Sequence, residues 1–138
     1  MEKARQILEA GSFTCVLRKQ ETIYTATERG VKPLVRWLTD GLDGRGFSAA
    51  DKVVGRATAY LYVLLGVKEV WAAVMSEAAQ DVLTRHGIEA SQDKLVKNII
   101  NRAGTGICPF EEAVLTIHTP EEALTAIRGK MKEINITL

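Results

Sequence analysis

Residues 48–76 read SAADKVVGRATAYLYVLLGVKEVWAAVMS, and the fold class turns on this stretch. Ser48-Ala49-Ala50-Asp51 has the Ser-x-x-Asp form of a helix start, in which Ser48 accepts the amide of Asp51. Behind it, Val53, Val54, Ala57, Tyr60, Leu61, Leu64 and Leu65 leave no broad polar face. A helix over 53–65 that is apolar nearly all round belongs in the middle of a domain. Gly66 ends it, and Val70-Trp71-Ala72-Ala73-Val74-Met75 follows as an unbroken apolar run. That is the pattern of a central strand covered on both faces. Ser76 then caps a helix through Leu83, which Gly87 stops.

Working outward, residues 2–10 form a short amphipathic helix with Ala4, Ile7 and Leu8 on one side. Ser12 to Arg18 and Thr22 to Thr27 are rich in β-branched and aromatic residues and pair as an antiparallel hairpin across Lys19-Gln20-Glu21. Pro33 opens a helix carrying Leu34, Val35, Trp37 and Leu38. Toward the C-terminus, Ile88 starts a short strand, whereas Lys94 to Ile100 fits helix and strand equally. Pro109 begins a short helix, and Thr119-Pro120-Glu121-Glu122 is a full helix-start signature. The last helix runs to about Lys132, and Ile134 to Leu138 is a tail or an edge strand. Strands alternating with helices make an α/β domain, and 1–138 reads as a single one.

Composition narrows the function classes. The chain has 138 residues, 46% of them hydrophobic and 25% charged, enough for one core without metal or disulfide support. Eighteen basic residues against 17 acidic ones give a net charge of +1, which argues against nucleic acid as a partner. Cys15 and Cys108 are too few and too far apart for a secreted disulfide framework. No signal-peptide pattern follows Met1, and the most apolar stretch, Val53 to Val67, is too short to span a bilayer and contains Arg56. The expectation is a cytoplasmic protein with no membrane partner. A homo-oligomer stays open.

Three places carry candidate chemistry, each at an expected helix N-terminus. Asp51-Lys52 presents a carboxylate and an ammonium for proton transfer or ligand charge, although a carboxylate there also suits the helix dipole. Ser76-Glu77 lies where a strand turns into its helix, the place where α/β sheets often hold ligands; a plain cap explains it as well. Asn101-Arg102-Ala103-Gly104-Thr105-Gly106-Ile107-Cys108 could aim backbone amides and the Thr105 hydroxyl at an anion. There Cys108, just ahead of a helix, would have its thiolate stabilised. The alternative is a glycine turn and a buried thiol. His86 and His118 stand alone, so no zinc-ligand spacing exists.

Asp51-Lys52-Val53-Val54-Gly55, Val74-Met75-Ser76-Glu77 and Asn101 through Pro109 resemble the bacterial and archaeal family known as domain of unknown function eighteen ninety-three. Ser12-Phe13-Thr14-Cys15-Val16 and Gly30-Val31-Lys32-Pro33-Leu34 extend the resemblance over about Leu8 to Lys130. It implies a cytidine-deaminase-like fold, a three-layer α/β/α sandwich around a mixed sheet, and no established activity. Zinc deaminases gather their metal with His-x-Glu or Cys-x-Glu at one helix start and Pro-Cys-x-x-Cys at the next. These positions fall near Asp51-Lys52 and Ser76-Glu77-Ala78-Ala79, where the ligating side chains are missing.

The functional expectation is a metal-independent pocket for a small nucleotide-like or otherwise anionic ligand, with no cofactor. Ser76, Glu77, Asn101, Arg102, Gly104, Thr105 and Gly106 would bind it. Cys108 would act as nucleophile, with Asp51 or Lys52 carrying the proton. The alternative is a non-catalytic ligand-binding or regulatory module using the same cleft. Either way, Asp51, Lys52, Ser76 and the loop from Asn101 to Cys108 should border one concave site.

Overall fold

The hairpin forms where the β-branched runs place it. In the computed structural model, which describes residues 1–100 and 104–138, β1 (Cys15–Lys19) pairs antiparallel with β2 (Thr22–Ala26). The other edge of β1 pairs antiparallel with β3 (Ser48–Val54), which runs parallel to β4 (Glu69–Ser76); β4 in turn is parallel to β5 (Glu89–Val96). The five strands make one mixed sheet in the order β2-β1-β3-β4-β5. The apolar run at 70–75 is thus an interior strand, as its composition requires. Lys94 to Val96, ambiguous in sequence, is strand.

The helix expected from Val53 begins later. Residues 48–54 are β3, and the helix α3 spans Arg56–Leu65. Ser48 caps nothing: its hydroxyl donates to Glu69 across the β3–β4 pair at 3.0 Å. The local signal failed because Ala49 and Ala50 suit both states, and pairing with β1 and β4 on either side satisfies the backbone of 48–54 in extended form. From Ala57 onward the helix reading holds. Tyr60, Leu61 and Tyr62 are completely buried, and Gly66 closes α3 in the left-handed conformation, φ 84°.

Strand alternation splits the apolar residues between the two sheet faces. Val16, Ala50 and Trp71 join Ala4 and Leu8 of α1 (Glu2–Ala10) in a small cluster, with the Arg5 guanidinium 4.4 Å above the Trp71 ring. Leu17, Ala49, Val70 and Ala72 belong to the main core. That core also takes in α2 (Lys32–Thr39), α3, α4 (Glu77–Arg85), α5 (Pro109–Ala113) and α6 (Pro120–Glu133). Ser76 and Thr119 cap α4 and α6 as their sequences indicate, accepting the amides of Ala79 and Glu122. Among the described residues no helix is long and apolar enough to cross a membrane.

Candidate functional site

A cavity of about 610 Å³ opens beside the C-terminal end of β3. Its walls come from chain far apart in sequence: Ser12 and Thr14 ahead of β1, and Thr27, Arg29, Gly30 and Val31 after β2. Asp51, Lys52 and Val53 of β3 and the start of α3 add a third wall. Ile99, Ile100 and Cys108 with the first turn of α5 close it. A crevice at the carboxyl end of a strand is where α/β sheets characteristically hold ligands.

Asp51 sits in the middle of β3, so it is not the helix-terminal residue that the Ser-x-x-Asp pattern suggested. Its strand partner on β1 is Cys15, and α3 lays Tyr62 against both. The Tyr62 hydroxyl donates to Asp51 Oδ2 at 2.7 Å, and Cys15 Sγ lies 3.0 Å from the same hydroxyl. With its one proton committed to Asp51, the hydroxyl is left to accept the thiol proton. A chain of polar groups therefore runs inward from the cavity wall. Burial pushes the Asp51 carboxyl from 3.8 up to about 6, against the opposing hydrogen bond from Tyr62. The same burial drives the Cys15 thiol and the Tyr62 phenol well upward, so both stay protonated. Asp51 is thus the member of the trio that titrates near neutrality.

Glu111 is the second buried carboxylate of the cavity, and sequence reading passed over it. From α5 it reaches the N-terminus of α3, accepting the Arg56 amide at 2.6 Å and the Ala57 amide at 2.7 Å. This is a helix cap supplied by a residue 55 positions away. Gly55 makes room for it: a Cβ there would lie 2.5 Å from the carboxyl carbon. Burial raises the Glu111 pKa, and the two amide bonds oppose the rise. The α3 N-terminus, a place where helices bind anions, is thus occupied by the chain's own carboxylate.

The three sequence candidates do not all converge. Asp51, Lys52 and Cys108 line the cavity. Ser76 does not; it is buried, with its hydroxyl spent on capping α4, and exposed Glu77 follows it outside the cavity. Gly104, Thr105 and Gly106 also lie outside the lining. Asn101 and Arg102 fall outside the described residues. Cys108 does precede α5, but that helix has only five residues, and Cys108 shares the cavity lining with Glu111. Thr58 and Arg29 were missed: Thr58 reads as one more position on an apolar helix, and Arg29 as a turn residue. Among the described residues no group of three or more His, Cys, Asp or Glu side chains could hold a metal ion.

A five-stranded mixed α/β domain with a two-carboxylate cavity at the end of its third strand is the class that fold and site define. The chain belongs to the DUF1893 family, a domain of unknown function, which matches residues 3–131. It is similar to a DUF1893 family protein, TM1506 from Thermotoga maritima, known from a crystal structure: TM-score 0.87 and 26% sequence identity over 94% of this chain and 88% of that one. No curated protein matches it.

Proposed function

We propose that the chain is a small-molecule-binding protein whose ligand occupies the cavity beside β3, with Asp51 as its proton-carrying group. The observation that carries this is the meeting of Asp51, Lys52, Cys108 and Glu111 in one cavity of about 610 Å³, within the size range of small-molecule sites. A carboxyl raised to about 6 exchanges a proton at neutral pH, as a general acid or base must. If covalent chemistry occurs, Cys108 is the nucleophile on the same wall. The non-catalytic alternative keeps the cavity and dispenses with the thiol. The strand order, with β1 antiparallel beside three parallel strands, supports a deaminase-like three-layer arrangement. We read the chemistry as metal-independent, because the residues at both helix starts offer no zinc-ligand set. A metabolite thermal-shift screen tests the pocket: a ligand at a hundred times its dissociation constant stabilises by roughly 2.7 kcal/mol. That stabilisation should disappear in Asp51→Asn. Ligands whose effect is untouched by changes at Asp51, Thr58 and Cys108 would refute the site.

A further inference from the structure

We infer that this cavity takes a small dipolar organic ligand, with an ammonium or amidine-type nitrogen against Asp51 at its floor and an anionic group toward Arg29 and Lys52 at its mouth. The inference rests on the pocket reading above and reverses the anionic expectation for the inner end. Burial sorts the lining into floor and mouth. Asp51, Thr58, Phe110 and Glu111 are buried, whereas Ser12, Thr27, Arg29 and Lys52 are exposed.

Among the described residues the floor offers acceptors and no cation. Asp51 is 7% exposed; its Oδ2 is engaged by Tyr62, while Oδ1 holds a long 3.3 Å bond from the Val53 amide. Thr58, also 7% exposed, makes no hydrogen bond among the described residues, although it lines the cavity. With no partner among those residues and not shut off from solvent, this hydroxyl opens onto the space a ligand would fill. An anion there would meet two carboxylates and find the first α3 amides already taken by Glu111. A wholly apolar ligand would leave the Thr58 hydroxyl unpaired and Asp51 Oδ1 with only its long amide bond. A nitrogen carrying several N–H donors satisfies both. At the mouth, Arg29 and Lys52 have no ion-pair partner among the described residues and are left to meet the opposite charge.

Binding such a nitrogen requires ionised Asp51, so it is coupled to proton release. Among the described residues, the titratable groups that line the cavity with Asp51 or contact it are the Cys15 thiol from β1, the Tyr62 phenol from α3, Glu111 from α5, Cys108 ahead of α5, and the Lys52 and Arg29 cations. Burial holds Cys15 and Tyr62 protonated throughout the neutral range, which leaves Asp51, whose carboxyl lies at about 6, to lose the proton.

Amide chemical-shift titrations of the intact chain with butylammonium, butanoate, 4-aminobutanoate and inorganic phosphate test this. Butylammonium and 4-aminobutanoate should shift Val53, Gly55, Thr58 and Phe110, with 4-aminobutanoate the tighter. Both should weaken by about tenfold between pH 7.5 and pH 5, as Asp51 protonates. Asp51→Asn should weaken both at pH 7.5, and the wild-type pH series tests the same point should that variant misfold. Arg29→Met with Lys52→Met should erase only the advantage of 4-aminobutanoate. Tighter binding of butanoate or phosphate in the cavity, or amine binding indifferent to pH and to Asp51, overturns the ligand class and leaves the pocket standing. No shift at those residues with any probe at about 20 mM, a weaker than millimolar interaction, overturns both.

Discussion

At the scale of single residues, the stack of Cys15, Tyr62 and Asp51 fixes how the protein responds to pH. A carboxyl whose folded pKa is raised binds its proton more tightly when folded, so it favours the fold at low pH. That contribution is complete below the unfolded value of 3.8 and is lost as pH rises through about 6. Glu111, shifted in the same direction, adds to the slope. Two pKa units correspond to roughly 3 kcal/mol, so urea unfolding at pH 4.5 and 7.5 should give a lower stability at the higher pH. Asp51→Asn should remove most of that difference. Glu28 has the opposite sign: Arg36, then Lys32, hold it down at about 2. Its stabilisation is present above its ordinary 4.5 and is lost only as pH falls toward 2. Tyr62→Phe removes a donor to Asp51 Oδ2, so the Asp51 carboxyl should move above about 6 in a carbon-13 carboxyl titration. An unchanged or lower value would mean that the phenol does not support the carboxylate.

At the scale of elements, α3 is held by its apolar surface and by a cap from elsewhere in the chain. Leu61 is completely buried in the main core, and Leu61→Ala should cost about 2 to 5 kcal/mol in chemical denaturation. A loss below roughly 0.5 kcal/mol is what surface positions show, and would place α3 at the periphery. Glu111→Ala should cost about 0.5 to 2 kcal/mol, the range for losing an N-cap. Gly55→Ala should act through the same contact: φ is −100°, which any residue adopts, so its effect comes from pushing Glu111 off the helix end. A double variant no worse than the more damaging single one would establish the shared cause.

At the scale of the whole molecule, the two thiols report on different regions. Cys108 is half-buried in the cavity wall, and Cys15 is 2% exposed beneath the sheet hairpin. A thiol reagent should modify Cys108 in the native protein and reach Cys15 only on unfolding. A cavity ligand should protect Cys108. Equal rates at the two positions would mean that the hairpin opens as readily as the cavity is entered.

The elements that local chemistry dictates were legible in the sequence. These are the hairpin around Gln20, the all-apolar turns of α3 up to Gly66, the interior strand at 70–75, and the Ser76 and Thr119 caps. In each, periodicity or a cap makes one backbone state clearly the better one over a few neighbouring residues. Asp51 is the counter-case. Ser48 to Asp51 satisfies a helix-start pattern, and only the strands on its two sides make it extended, because its small residues express no strong preference of their own. The site depended still more on distance: Glu111 meets Arg56 and Ala57 across 55 and 54 positions, and Tyr62 meets Cys15 across 47. The sequence by itself determined an α/β chain with a buried central helix and one carboxylate-bearing segment, Ser76-Glu77, at a helix start. Tertiary structure alone decided that Asp51 and Glu111 share a cavity while Ser76 and Glu77 do not, because burial and hydrogen-bond partners belong to the assembled walls and not to any one segment.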